Sequence, residues 1–210
     1  IDRETNLPLS KETENKIIEN MEKAIPVHDA IILSDYNIGL LTENVINKAI
    51  ELSKKYNKII VVDSQKDLER FKGVTSMTPN QPDSEKYAGF FIKDIDTLKQ
   101  AGKIILDKSN ADSVLITQGD NGMALFEKNG NFEKIPVFNK TDVFDVTGAG
   151  DTVVAVYTLA MASGLSKKNS AIIGNLAASI VIRYFGCATT TQEELLHTLD
   201  RIDFNSLITK

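Results

Sequence analysis

The chain has 210 residues, 42% hydrophobic and 25% charged, a composition that excludes intrinsic disorder and supplies material for one sizeable core. Its 24 Lys and Arg stand against 29 Asp and Glu, and the net charge of -5 argues against a nucleic acid as main partner. The longest apolar runs fall far short of the ~20 residues of a membrane span, the single Cys187 forms no internal disulfide, and residues 1–4 lack the features of a signal peptide, so the expected setting is a reducing cytoplasm with no membrane partner.

Ile17, Ile18, Met21, Ala24 and Ile25 recur at helical spacing, with Ser10 in front as N-cap and Pro26 behind, which predicts an amphipathic helix over residues 11–25. Residues 30–34 and 58–63 are short apolar runs with polar ends at Asp35 and Asp63, the pattern of buried parallel strands. Between them, Val45, Ile46, Ala49, Ile50 and Leu52 give residues 42–56 the apolar face of a crossover helix. A strand over 74–78, a helix over about 96–108 and a strand over 113–117 continue the alternation and predict a parallel sheet covered on both faces. Asn129-Gly130 separates two further strands, 123–128 and 131–135, and supplies the positive φ values of a tight antiparallel hairpin. Three helices follow: residues 148–162 closed by Gly164, residues 167 to about 185 started by Ser166, and residues 192–203 with Thr191 and Glu194 spaced as a capping box. No repeat or linker interrupts the pattern, so one domain is expected.

In open α/β sheets ligands gather at the carboxyl ends of the strands, which directs attention to Asp35, Asp63, Asn80 and Thr117. Taken singly, each is also an ordinary turn or cap residue. A sharper signal is Asp145-Val146-Thr147-Gly148-Ala149-Gly150-Asp151-Thr152, which opens an apolar helix. Glycines at a helix start allow close backbone approach, and the exposed amides with the positive dipole end receive anionic oxygen. Asp151 beside them can take a proton from an attacking hydroxyl; the plainer reading of the same residues is a glycine turn with a capping Asp151. His28 and His197 have no zinc-ligand spacing, and no G-x-x-x-x-G-K-[ST] or G-x-G-x-x-G is present, which disfavours a P-loop NTPase and a dinucleotide-binding domain.

The 145–152 string resembles the D-T-x-G-A-G-D signature of the ribokinase family of carbohydrate kinases. Thr78-Pro79-Asn80 is similar to that family's T-P-N-x-x-E segment, and Thr117-Gln118-Gly119-Asp120-Asn121-Gly122 to its T-x-G-x-x-G nucleotide loop, in the same order. Ser34-Asp35-Tyr36 with Gly39, Val62-Asp63-Ser64 and Phe144-Asp145-Val146 look most like the heptose phosphate kinases of lipopolysaccharide precursor synthesis. The resemblance implies a ribokinase-like three-layer α/β/α sandwich, with a mainly parallel Rossmann-like sheet and an antiparallel hairpin. It implies ATP-dependent phosphorylation of a sugar or sugar-phosphate hydroxyl, with Asp151 as general base in contact with the substrate and Gly148, Ala149 and Gly150 as anion hole. Asn80, a nucleotide-binding residue, would help hold magnesium and phosphate through water, with Asp83 also at the magnesium; Thr117, Gly119 and Gly122 would follow the ATP phosphates and ribose, with Asn175 near the adenine and Asp35 at the sugar. Asp145 and the carbonyls around Thr147 and Gly186 would bind a monovalent cation such as potassium, with Cys187 a packed, inert neighbour.

Several positions depart from the pattern. Asp83 stands where the family usually has Glu, Ile38 where the heptose kinases usually have Lys, and Gln65 where they usually have a basic residue. Losing two positive charges weakens contact with a sugar phosphate and leaves an altered substrate open. Ile1-Asp2-Arg3-Glu4 looks like the chain returning from the family's lid, so the N-terminal sugar-binding and lid portion is expected to be missing and the chain alone to be a poor kinase. The lid is also where relatives commonly dimerise, so a homodimer is expected only of the intact protein. A non-catalytic nucleotide or sugar-phosphate binding module is the rival that these departures favour.

Overall fold

The computed structural model describes residues 9–138 and 143–201, and the expectation for residues 1–4 falls outside them; the last helix ends at Leu199 with Asp200 as its C-cap, short of the expected residue 203. Helix α1, Lys11–Ala24, begins where the Ser10 hydroxyl accepts the Thr13 amide at 3.1 Å. Strand β1, Ala30–Asp35, helix α2, Glu43–Lys55, and strand β2, Ile59–Ser64, form the predicted crossover, and β1 and β2 pair in parallel from Ala30 opposite Ile59 to Asp35 opposite Ser64. Then come β3, Ser76–Met77; α3, Gln81–Ala88; α4, Ile95–Ser109; and β4, Ser113–Thr117. Parallel pairing continues from β2 to β3 and from β3 to β4. Strands β5, Met123–Glu127, and β6, Phe132–Ile135, close the sheet order β1-β2-β3-β4-β5-β6, followed by α5, Ala149–Ala162, α6, Lys167–Val181, and α7, Gln192–Leu199.

Four local differences from the sequence reading have physical causes. β3 is two residues long, although the Thr75 amide still reaches the Ile60 carbonyl at 3.0 Å and the Thr78 amide the Val62 carbonyl at 2.9 Å. Helix α3 went unpredicted: Asn80 caps it through the Asp83 amide at 2.8 Å, Pro82 sits in its first turn, and Gly89 at φ +84 ends it. In the hairpin only Gly130 has positive φ, so Asn129-Gly130 is part of a four-residue connection rather than a two-residue turn. Helix α6 stops at Val181, short of the expected end near residue 185, because the Ile182 carbonyl accepts the Phe144 and Asp145 amides at 2.8 and 3.3 Å.

The residues cluster into two compact units, the first running through Ile116 with Phe126–Asn131, the second taking Thr117–Leu125 and the residues from Phe132 onward. In the first, Val61, Val62, Val114, Leu115 and Ile116 are wholly buried, as expected of strands covered on both faces, and Val45, Ile46 and Ala49 bury the apolar stripe of α2. In the second, α5 packs along α6; Gly174 lets them close, since a Cβ there would stand 3.2 Å from the Val153 carbonyl oxygen. Gly122 is under the tightest constraint, with φ +77 and an added Cβ only 2.1 Å from the Ile135 carbonyl oxygen. Gly122→Ala therefore adds backbone strain and overlap of the same sign and is expected to cost about 2 kcal/mol or more in a denaturant titration; an unchanged midpoint would contradict this packing.

Candidate active site

In the second unit the segment before α5 turns through Gly148 at φ +77, and α5 begins at Ala149 with Asp151 in its first turn. The first intrahelical bond runs from the Thr152 amide to the Gly148 carbonyl at 2.9 Å, so the amides before it have no acceptor within the helix. One is taken: the Ala149 amide donates to the Val146 carbonyl at 3.1 Å. Of the three amides expected to form an anion hole, the Ala149 N–H is therefore already engaged. Asp151 is exposed at the start of this helix.

A cavity of about 260 Å³ opens beside the helix start. Thr117, Gly119 and Gly122 line it together with Asn175, Ala149 and Gly150, so four of the five predicted nucleotide residues, all but Asn80, share one space with two of the predicted anion-hole residues. The 118–122 loop is closed on itself by the Gln118 amide to the Gly122 carbonyl at 2.8 Å and the Gly122 amide to the Gly119 carbonyl at 3.1 Å. Lys134 donates to the Gln118 side-chain oxygen, and burial pushes its ammonium pKa down. Asn175 is 4% exposed and donates its amide to the Pro136 carbonyl at 2.7 Å, which fixes which end of the side chain is the acceptor. Asp120 and Ser179 add polar atoms, and much of the remaining wall is apolar, with Val137, Val143, Val146, Val153 and Ile182 its branched side chains. Sequence reasoning missed these five, because apolar residues scattered over several segments carry no motif. An apolar slot with a few fixed polar groups suits a flat heteroaromatic ring.

Beside it, Asp145 joins two loops. Its Oδ1 accepts the Thr147 hydroxyl at 2.7 Å and the Thr147 amide at 2.9 Å, and its Oδ2 accepts the Gly186 amide at 2.9 Å. The three residues expected at a monovalent cation are thus brought together. Those donors, the Thr147 hydroxyl foremost, hold the carboxyl below the usual aspartate range and keep it ionised. An ionised carboxylate is a hard oxygen donor of the kind a monovalent cation takes. Cys187 is exposed rather than packed, although its sulfur lies 3.8 Å from where a Gly148 Cβ would stand.

The other predicted residues lie in the first unit. Asp35, at the end of β1, is 6% exposed; its Oδ1 accepts the Asn37 amide at 2.9 Å and its Oδ2 meets Arg70 at 3.3 Å. Asn80 has its side-chain oxygen occupied as the α3 cap, and burial raises the Asp83 carboxyl above its usual range despite Lys86 and Asn80. Among the described residues no group of three His, Cys, Asp or Glu side chains could hold a metal ion. Asn80 and Asp83 would thus suffice for magnesium only as outer partners, through water.

The folded-state pKa of Asp145 is depressed, so the stabilisation it gives the loop junction is present above the usual aspartate value and lost as pH falls through the folded one. The protection factor of the Gly186 amide, its exchange measured against the intrinsic rate at each pH, is expected to fall in the wild type as pH drops below the usual aspartate range, and at neutral pH in Asp145→Asn, whose amide nitrogen cannot accept that N–H; unchanged Gly186 protection would remove the junction.

The model of the pfkB family carbohydrate kinases matches residues 3–194. The bifunctional protein HldE of a Nitratiruptor species is 37% identical over 195 residues, 93% of this chain and 41% of that protein. The chain thus spans about two fifths of the curated relatives it matches. Phosphofructokinase-2 from Escherichia coli, solved in complex with potassium, superposes with a TM-score of 0.79 at 18% identity, covering 92% of this chain and 63% of that one. Arabidopsis thaliana ribokinase, solved with ribose and ATP, gives 0.76 at 18% identity, covering 91% and 60%. Both share the ribokinase-like α/β sandwich expected from the sequence. No described helix is long and apolar enough to cross a membrane. With a family model matched over nearly its whole length, the chain belongs to the pfkB family of carbohydrate kinases.

Proposed function

We propose that the intact protein transfers the γ-phosphoryl group of ATP to a hydroxyl of a sugar or sugar phosphate, with a heptose 7-phosphate giving the 1,7-bisphosphate as the substrate its motifs resemble most. The observation that carries this reading is the shared cavity, in which the 117–122 loop, Asn175 and the glycine start of α5 line one space. Adenine lies in the valine slot, with the fixed Asn175 amide as its polar contact. The triphosphate runs along Thr117, Gly119 and Gly122 toward α5, where the Gly148 and Gly150 amides and the helix dipole stabilise charge on the phosphoryl oxygens.

Asp151 takes the proton of the acceptor hydroxyl as its oxygen attacks phosphorus in line. The bond from the γ-phosphorus to the β–γ bridging oxygen breaks and ADP departs with that electron pair. Magnesium, when bound, neutralises phosphate charge, with Asn80 and Asp83 reaching it through water. Asp145, Thr147 and Gly186 would hold potassium, which would add positive charge at the junction that Asp145 already makes between the α5 start and the 182–187 loop; the potassium complex of phosphofructokinase-2 is in keeping with this assignment.

A second reading, a non-catalytic nucleotide or sugar-phosphate binding module, draws on Asp83, whose shorter carboxylate is pushed toward protonation and so is a weaker magnesium partner.

A positioned general base is worth about 10²–10⁴ in rate. In the intact protein, assayed with ATP, magnesium, potassium and a panel of sugars that includes a heptose 7-phosphate, Asp151→Asn is expected to lower kcat by about that factor with ATP affinity within about twofold. Wild-type turnover in the variant would remove Asp151 from this role. ATP binding without transfer to any sugar would favour the binding module.

A further inference from the structure

Arg70 lies on the 3₁₀ turn Leu68–Phe71 after β2, with its side chain 24% exposed. Each arm of its guanidinium meets a different part of the β1–α2 connection. Nη1 is 3.3 Å from Oδ2 of Asp35 at the end of β1, Nη2 donates to the Leu41 carbonyl within the loop, and Nε is 2.6 Å from Oε1 of Glu43 in the first turn of α2. The guanidinium carbon lies 5.7 Å from the centroid of the Phe71 ring, and Phe71 is wholly buried, so the clamp is mounted on the core.

The connection needs such a clamp. Asn37 and Gly39 take left-handed φ values of +57 and +88, and Tyr36, Ile38 and Leu40 are about half exposed, so little apolar burial holds the loop. Its far end is fastened separately, where Glu14 of α1 accepts the Thr42 hydroxyl at 2.5 Å and the Asn44 amide at 3.2 Å. Arg70 faces two carboxylates, so it is no spare charge replacing the basic residues absent at Ile38 and Gln65. A planar fork with three acceptors restricts orientation instead. Asp35 is buried and held through both oxygens, yet each carboxylate oxygen has a second lone pair with which to accept a hydroxyl hydrogen.

We infer that Arg70 is a positioning residue for the acceptor: it fixes the Asp35 carboxylate and the loop of residues 36–41 in the orientation that receives sugar hydroxyls. This rests on the sugar-kinase reading above. Lysine at this position keeps the charge but meets one acceptor where arginine meets three, so Arg70→Lys is not conservative here.

The test uses the intact protein with two readouts. In steady-state kinetics Arg70→Lys is expected to raise the KM of the acceptor about tenfold or more, in line with lost charge-assisted hydrogen bonds, with the KM of ATP within about twofold. In amide exchange without substrate, residues 36–41 are expected to exchange at least about tenfold faster while β1 and β2 keep their protection. Glu43→Ala, which removes only an exposed partner, is expected to give a smaller shift of both readouts in the same direction. An active Arg70→Lys protein with wild-type acceptor KM and loop exchange overturns the inference, as does faster exchange spread evenly over β1 and β2. A wild type that transfers to no sugar while Arg70→Lys still loosens the loop overturns the kinase reading and the acceptor role, and leaves the clamp as structure alone.

Discussion

The backbone enters α5 through Gly148 at φ +77, a conformation that a side chain would strain, and that turn decides what the first amides of the helix can do. It bends the chain so that the Ala149 amide is consumed by Val146, while Gly150 is delivered to the cavity wall. The turn does not stand alone. The Phe144 and Asp145 amides bind the Ile182 carbonyl, and the Asp145 carboxylate binds the Gly186 amide, so the segment leading into α5 is fastened to the end of α6. Asn175, on α6, belongs to the same rigid arrangement through Pro136. The cavity wall and the helix start thus share one hydrogen-bonded framework.

Much of this was legible in the residues. Caps predicted at Ser10, Ser166 and Thr191 all form, because a side-chain oxygen three residues ahead of an unsatisfied amide is a local matter. The strand over 113–117 and the helix spans around it follow from local periodicity for the same reason. Three kinds of feature were not legible. Helix α3 is only eight residues long with a weak apolar face, and Pro82 reads as a breaker unless Asn80 is recognised as its cap. The end of α6 depends on a carbonyl taken by Phe144 and Asp145, 37 or more residues earlier in the chain. The valine slot and the Arg70 clamp assemble from distant segments, with Arg70 and Asp35 separated by 35 positions. The glycine string of residues 148–150 marks the start of α5, but which of its amides stay free depends on hydrogen bonds that spacing cannot supply.

Ile38 and Gln65, the positions where basic residues are absent, are both exposed and lie beside the segments that Arg70 and Asp35 organise. A loop held by orientation more than by charge recognises hydroxyl geometry better than phosphate charge. Within the kinase reading, this places discrimination among acceptors on the β1–α2 connection, which no apolar contact stabilises strongly.

The central claim is that nucleotide occupies the cavity between the 117–122 loop and the start of α5. Backbone amide chemical shifts of the intact protein, followed while a non-hydrolysable ATP analogue with magnesium is added, test it most directly. The account predicts that Gly119, Gly122, Gly150 and Asn175 shift most and saturate together with one dissociation constant. Saturable binding that leaves those four amides unmoved would contradict it.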